Sequence, residues 1–286
     1  MSRQTIELPQ GEITYRDQGE GPVLFFSHGF LVDSDLWEGL TLRLVAKGYR
    51  CVRPDSPLGS HHTPMNPEAY LSPPGVADLL AGMIEKLDLD RVTIVGNDSG
   101  AAIAQMLVAR HPERIASLIL TNADALEVFP PRLFAWLPLL GHVPGGVNTL
   151  SMALQLRLNR IATYRMLSVD PVPDEQLKQW VRPIRREAGI REDVRKLLVG
   201  LEKSQTIDAA ETLAGMDLPI LMVWGDRDRF FKIELARRLA EMMKNATVVP
   251  IEGGRTFVML DEPELVAGHI DDFVRKQVIG SGRATA

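Results

Sequence analysis

Cysteine is almost absent. Cys51 is the only one in 286 residues, so no internal disulfide can staple the chain. Its place in the apolar run Tyr49 to Val52 reads as a small buried side chain rather than a reactive thiol. Long hydrophobic runs are missing too. The start, MSRQTIELPQ, has no apolar leader core, and the most apolar later stretch, Leu133 to Leu140, is short and broken by Pro138. A soluble, cytoplasmic protein without a membrane partner is expected. There is no basic excess: 32 Lys and Arg against 37 Asp and Glu leave a net charge of −5, which lacks the basic face that nucleic-acid binding requires. P-loop, HExxH and CxxC patterns are absent, as is any internal repeat, so no organic cofactor is indicated. His61-His62 with Asp55 nearby is too sparse a pattern to assign a metal. The expected partner is a small-molecule substrate, and nothing marks an oligomeric state.

What is present is an ordinary globular composition, 45% hydrophobic and 24% charged, over about twice the usual domain length. In the first 124 residues strand-like runs alternate with helices: Ile13 to Asp17, Val23 to Ser27, Tyr49 to Val52, Arg91 to Val95 and Ile115 to Thr121. Asp35 with Glu38 reads as a capping box opening a helix through Lys47, and Pro73-Pro74 precede a helix over Val76 to Leu87. This alternation predicts a mainly parallel sheet covered on both faces, with an antiparallel hairpin at its edge. The pattern stops at Ala125 and resumes after about Ala214 with Ile220 to Trp224, a helix over Ile233 to Met243, Ala246 to Ile251 and a helix over Glu264 to Val278. An interruption of that kind predicts an α/β core of residues 1–124 and 215–280, a helical cap at 125–214, and a disordered tail at 281–286.

Residues 91–110, RVTIVGNDSGAAIAQMLVAR, join an apolar strand to an apolar-faced helix through Gly96-Asn97-Asp98-Ser99-Gly100. Glycines two positions either side of Asp98 fit a strand-to-helix elbow that holds its central side chain up in a strained, exposed position. A serine there would attack acyl carbon by surrendering a proton to a base. An ionised aspartate is already a nucleophile and suits displacement at alkyl carbon. Centring the elbow on Ser99 would put Asn97 where the turn wants no bulky side chain.

In an open α/β sheet, functional residues sit in loops at the carboxyl ends of the strands. Here those loops carry His28-Gly29-Phe30, then Asp98, then Asn122 and Asp124, then Gly225-Asp226-Arg227-Asp228, and finally Gly253-Gly254-Arg255-Thr256-Phe257. The set, with ARHPERIASLIL after the elbow, resembles the α/β-hydrolase superfamily, specifically the haloalkane dehalogenase and epoxide hydrolase branch in which aspartate replaces the nucleophilic serine. The resemblance spans nearly the whole chain. It implies an α/β-hydrolase fold with a mostly parallel eight-stranded sheet, helices on both faces and an inserted helical cap. It further implies Asp98 as nucleophile, the backbone amides of Phe30 and Ser99 as oxyanion-hole donors, and Asp228 as the triad acid with Asp124 as the alternative. His28 is expected to shape its loop, and Asp226 to serve a turn.

One departure outweighs these matches. The family places a catalytic histidine just before the phenylalanine of the last loop, and here Thr256 stands there. A hydroxyl cannot accept a proton near neutral pH. Three explanations stay open: another imidazole reaches the site, His61 of RPDSPLGSHH before His142 of the cap; Asp98 acts as a general base in a dry pocket, making a lyase or isomerase; or catalysis is lost and the fold binds a ligand. An epoxide hydrolase-like hydrolase acting on a small to medium apolar substrate leads. In the cap, Tyr164 is either the acid that protonates a departing oxygen, as in epoxide-opening relatives, or a packing ring. Trp37, Trp136 or Trp180 could offer an indole donor to the substrate. Phe129, Leu133, Phe134, Leu137 and Leu140 line a pocket or seat the cap, and Arg157, Arg160, Arg165, Arg182, Arg185 and Arg186 are spaced as solvated helix faces.

Overall fold

Short strands, buried at nearly every position in the middle of the sheet, alternate with helices to build an eight-stranded sheet. A computed structural model describes residues 3–283, and side chains through residue 277. Strands β1 (Gln4–Leu8) and β2 (Gly11–Gln18) form the antiparallel edge hairpin, followed by β3 (Val23–Ser27), helix α1 (Glu38–Ala46), β4 (Arg50–Pro54) and α2 (Pro73–Lys86). Then come β5 (Val92–Asp98), α3 (Ser99–Arg110) and β6 (Ile115–Ala123). After six helices, α4 (Leu137–His142), α5 (Gly146–Ala153), α6 (Arg157–Tyr164), α7 (Asp174–Arg186), α8 (Ala188–Val199) and α9 (Ser204–Gly215), the alternation returns. It ends with β7 (Ile220–Gly225), α10 (Ile233–Met242), β8 (Ala246–Ile251), α11 (Val258–Asp261) and α12 (Pro263–Arg283). The strand order is β1-β2-β4-β3-β5-β6-β7-β8. Only β2 runs antiparallel to its neighbours, and the other pairings are parallel.

Covering both faces makes the central strands almost wholly apolar. Leu118, Leu120, Met222 and Trp224 point into one apolar cluster with α2, α3, α9 and α10, while Leu24, Phe26, Ile119 and Val223 point into the other with α1 and α12. The second cluster runs on into Tyr164, Leu177, Trp180 and Ile184 of the inserted helices. Helix α9 differs from α4–α8: Ala209, Ala210 and Leu213 join the core cluster of α2 and α3, so the last inserted helix covers the sheet. Within 125–214, among the described residues, the β pairing is the isolated bridge Ala125 to Val128.

Two local expectations change. The cap of the first helical segment is Asp33, not Asp35: its carboxylate accepts the Asp35 amide at 2.9 Å and opens a 3-10 turn, Ser34–Trp37, that leads into α1. Asp35 instead turns its carboxylate to Arg16 and Arg3. The terminal helix carries its backbone to Arg283, three residues into the segment expected to be disordered, and residues 284–286 lie outside the described residues. Val266, Ala267, Ile270 and Val274 anchor α12 in the core, and extending an anchored helix is far easier than starting one. Among the described residues no helix is long and apolar enough to cross a membrane.

Candidate active site

The elbow has the geometry its sequence predicts. Asp98 ends β5 at φ 54°, ψ −133°, a conformation that L-residues rarely adopt, and α3 starts at the next residue. Tight packing enforces it: a Cβ at Gly96 would lie 2.6 Å from the Ala101 Cα. The loop after β3 crosses directly beside the carboxylate, since a Cβ at Gly29 would lie 2.4 Å from Asp98 Oδ2.

Asp98 opens on a cavity of about 160 Å³ between the sheet's carboxyl edge and the inserted helices. That volume is close to that of an apolar cavity that admits a benzene-sized molecule. Phe129, Phe134, Trp136, Leu137, Leu150 and Leu154 supply much of the wall; Leu197, Leu198 and Leu201 add the end of α8 and the residues after it, and Phe230 and Phe231 the loop after β7. Leu133 and Leu140 are not part of it, and Leu133 is exposed. The polar lining is Asp98, Ser99, Asp124, Thr163 and Tyr164; among the described residues no histidine, lysine or arginine faces in.

Three carboxyls gather at the ends of β5, β6 and β7. Asp228 sits behind the cavity, fully buried: its Oδ1 accepts the amides of Phe230 at 2.7 Å and Phe231 at 3.0 Å, and its Oδ2 accepts Asn122 Nδ2 at 2.8 Å. Asn122 also accepts the Gly225 amide at 2.8 Å, so one side chain ties β6, β7 and the carboxylate together. Asp124 is held by its backbone, through its amide to Asp98 O at 3.3 Å and its carbonyl to Gln105 Nε2 at 2.9 Å. Its carboxyl lines the cavity, is buried, and leaves Oδ1 without a hydrogen-bond partner.

Burial without counter-ions raises proton affinity. The Asp98 carboxyl is pushed up to about 7, first by burial and then by the charge of Asp228, with the Ser99 amide opposing. Asp124 is held well above the ordinary carboxylate range by burial and by Asp98 and Asp228. Asp228 is also raised by burial, but the Phe231 and Phe230 amides, the Thr256 hydroxyl and Asn122 pull it back. Asp98 and Asp124 share the cavity, and the charge of Asp98 adds to burial in raising Asp124, so their protons are linked.

Thr256 occupies the position beside Asp228. It is fully buried, its hydroxyl completes no hydrogen bond of regular geometry, and its carbonyl accepts Asn97 Nδ2 at 2.7 Å. On the opposite side, the Phe30 amide donates to Ser99 Oγ at 2.8 Å, so the expected oxyanion donor is engaged by the serine hydroxyl in this structure. His28 shapes the loop behind it: its Nε2 accepts the Ser56 amide at 2.9 Å and its Nδ1 lies 2.9 Å from the Gly29 carbonyl. Burial lowers its pKa and those two partners fix the neutral Nδ1–H tautomer.

Other residues singled out in the sequence lie elsewhere. His61 does not line the cavity; its Nε2 lies 3.1 Å from Asp193 on α8, so this loop imidazole ties the sheet domain to an inserted helix. His142 is exposed on α4. Trp37 does not line the cavity: it is fully buried with its ring 5.1 Å from Phe26. Trp180 donates its indole N–H to Asp33 at 2.9 Å, and Trp224 bonds Phe231 O at 2.8 Å inside the core. Tyr164 does line the cavity, yet its hydroxyl donates to Leu31 O at 2.6 Å, which commits its proton to the backbone. Of the cap arginines, Arg160 is buried and bonds Asp174 at 2.6 Å and the carbonyls of Leu154 and Gln155 at 3.1 Å, a structural tie rather than a solvated face.

One trio could ligate a cation: Asp33, Asp55 and His62 bring donor atoms within 4.8 Å of one another. Arg3 already stands among them, its Nε 3.5 Å from Asp55 Oδ2 and its Nη2 3.7 Å from Asp33 Oδ2. The role of Phe230 and Phe231 had no motif behind it; the available signal was their place two and three residues after Asp228, where a turn can aim amides back at the carboxylate.

Comparisons agree with this architecture. The alpha/beta hydrolase fold family matches residues 22–263. Epoxide hydrolase 2 of Siraitia grosvenorii is 33% identical over 113 residues, 39% of this chain and 35% of that protein, so the match spans about a third of it. Epoxide hydrolase 1 of Caenorhabditis elegans is 24% identical over 291 residues, covering 95% of this chain and 70% of that one. Among solved structures, haloalkane dehalogenase DbeA from Bradyrhizobium elkani USDA94 superposes with a TM-score of 0.80 at 19% identity over 98% of this chain and 99% of that one, a likeness of fold.

Proposed function

We propose that this chain, which belongs to the alpha/beta hydrolase fold family, is an epoxide hydrolase-like enzyme that uses Asp98 as nucleophile on a small to medium apolar electrophile. The observation that carries this reading is a carboxylate at a strained elbow, aimed into an apolar cavity with, among the described residues, no lysine, arginine or histidine in its lining. In such a cavity a carboxylate is poorly solvated and keeps its nucleophilicity, while apolar walls hold the electrophilic carbon beside it. Asp98 attacks that carbon in line and forms an alkyl ester. Water then attacks the ester carbonyl, and the amides of Phe30 and Ser99 receive the developing oxyanion once the Ser99 hydroxyl rotates off Phe30.

Incubation with a panel of epoxides and alkyl halides, followed by intact mass and peptide mapping, tests it. An adduct on Asp98, or turnover lost in Asp98→Asn, is expected. Neither adduct nor turnover across the panel overturns the reading. One observation favours a second role, Asp98 as general base: burial pushes its pKa up to about 7 in a cavity that, among the described residues, no imidazole lines. That role predicts deuterium uptake at an acidic carbon of a bound ligand with no adduct.

A further inference from the structure

We infer that Asp124 is the second catalytic residue, giving a proton to the departing oxygen when Asp98 opens an epoxide and then taking one from the water that hydrolyses the ester. The inference rests on the nucleophilic reading of Asp98 and assigns Asp124 a part different from orienting a histidine, since the last loop offers Thr256 in place of one.

Four features of the cavity support it. Asp124 lines the same cavity as Asp98, and its amide bonds the Asp98 carbonyl, so the two side chains rise from adjacent strand ends. Asp124 is 1% exposed, and its Oδ1 has no hydrogen-bond partner among the described residues. A buried, unsatisfied polar atom in an apolar wall is costly unless a ligand or water completes it. The alternatives are committed: Tyr164 donates to Leu31 O, Asp228 is saturated by Asn122 and two amides, and His61 is paired with Asp193. Finally, burial, and after it the charges of Asp98 and Asp228, press Asp124 toward its neutral form, the form able to donate.

The proton count closes. Asp98 carboxylate oxygen forms a bond to the epoxide carbon, the ring C–O bond breaks with its electron pair going to oxygen, and that oxygen takes the Asp124 proton. Asp124 is now a carboxylate in the same cavity. It accepts a proton from water as the water oxygen bonds the ester carbonyl carbon; the tetrahedral species breaks its bond to the alkoxide oxygen, which takes the proton of the hydroxyl newly added at the Asp98 carbon and leaves as the diol. Asp98 returns as a carboxylate and Asp124 as an acid. One group serving as acid and then base through a covalent intermediate is the logic of retaining glycosidases.

Two probes of similar skeleton separate this from its premise: styrene oxide, whose opening needs an acid, and 2-phenylethyl bromide, whose bromide leaves unprotonated. In Asp124→Asn, ester formation from styrene oxide is expected to slow by ~10²–10⁴-fold, the usual worth of a proton donor. Ester formation from the bromide stays within about threefold of the parent, because that step moves no proton; once Asp98 is a neutral ester, Asp124 of the parent sheds its proton to solvent and serves as base, so the parent's ester turns over while the variant's persists. An Asp124→Asn protein that opens styrene oxide at the parental rate, or hydrolyses its ester as fast, overturns the inference. So does loss of the bromide reaction in a variant with unchanged thermal unfolding; should the amide not fold, the same two rates are read in Asp124→Ser. If the parent itself forms no ester on Asp98 from either probe, the nucleophilic reading falls first and this inference with it.

Discussion

Two acidic clusters lie at different places in this molecule and have opposite surroundings. Asp33, Asp35 and Asp55, near the start of α1 and the end of β4, are met by Arg3 and Arg16, by the Trp180 indole and by backbone amides. Asp98, Asp124 and Asp228 are packed as deeply at the ends of β5, β6 and β7, and among the described residues none of them takes part in an ion pair. In the first cluster the carboxylates tie the amino-terminal strands to the inserted helices. In the second, the absence of cations leaves proton affinity and nucleophilicity high where an apolar ligand would sit. Burial raises Asp33 and Asp98 alike, so it does not separate a structural acid from a reactive one; what differs is that donors occupy the oxygen of Asp33 while Asp98 and Asp124 face an apolar cavity.

The strongest way to break this comparison is Asp98→Asn. It removes the reacting oxygen without changing shape, and adduct formation or turnover should fall by at least about 10³-fold. Next comes pH. Since only ionised Asp98 attacks and its pKa is about 7, alkylation by 2-phenylethyl bromide should drop close to tenfold per unit below pH 7 and level off above it. Asp124 and Tyr164, which line the same cavity, are both held above their ordinary values by burial, and Asp228 behind it supplies the charge that raises Asp98 further. A profile flat from pH 5 to 9 would show that the cavity does not desolvate Asp98.

The structural cluster offers a smaller, opposite effect. Asp33 is raised from 3.8 to about 7 by burial and by Asp55 and Asp35. Between those values the unfolded chain is ionised while the folded one keeps its proton, so this acid's contribution to stability is present below pH 4 and lost as pH rises through 7. Asp33→Asn keeps the acceptor for Trp180 and the Asp35 amide, and urea unfolding at pH 8 should show a gain on the order of 2 kcal/mol that vanishes below pH 4. Smallest of all, His61→Gln should cost about 1–2 kcal/mol through the bond to Asp193 and leave the alkylation rate unchanged; a large loss of rate would return His61 to the chemistry.

Which parts were legible follows from range. Strands β3, β5, β6 and β7 stood out because burial on both faces writes continuous apolar runs, and the elbow stood out because close backbone approach demands small residues at fixed offsets from Asp98. Asp35 was mistaken for the helix cap because Asp33 and Asp35 look alike in a string; the choice was made by Arg16 on β2, which draws Asp35 away. His61 and Trp37 were plausible site residues by position in the chain, but Asp193 and Phe26 claim them from 132 and 11 residues away. Tyr164 reached the cavity as its place in the cap allowed, with a hydroxyl already spent on Leu31.

By itself, then, the sequence determined the order of elements, the two-faced sheet, the elbow and the carboxylate at its centre, and the missing imidazole at Thr256. These rest on local periodicity and steric need, which a linear chain records. Tertiary structure alone decided that Asp228 is saturated, that Asp124 faces the cavity unpartnered, and that no cation joins them. Hydrogen-bond satisfaction and desolvation are set by atoms from strands and helices far apart in the chain, and only folding brings those atoms together.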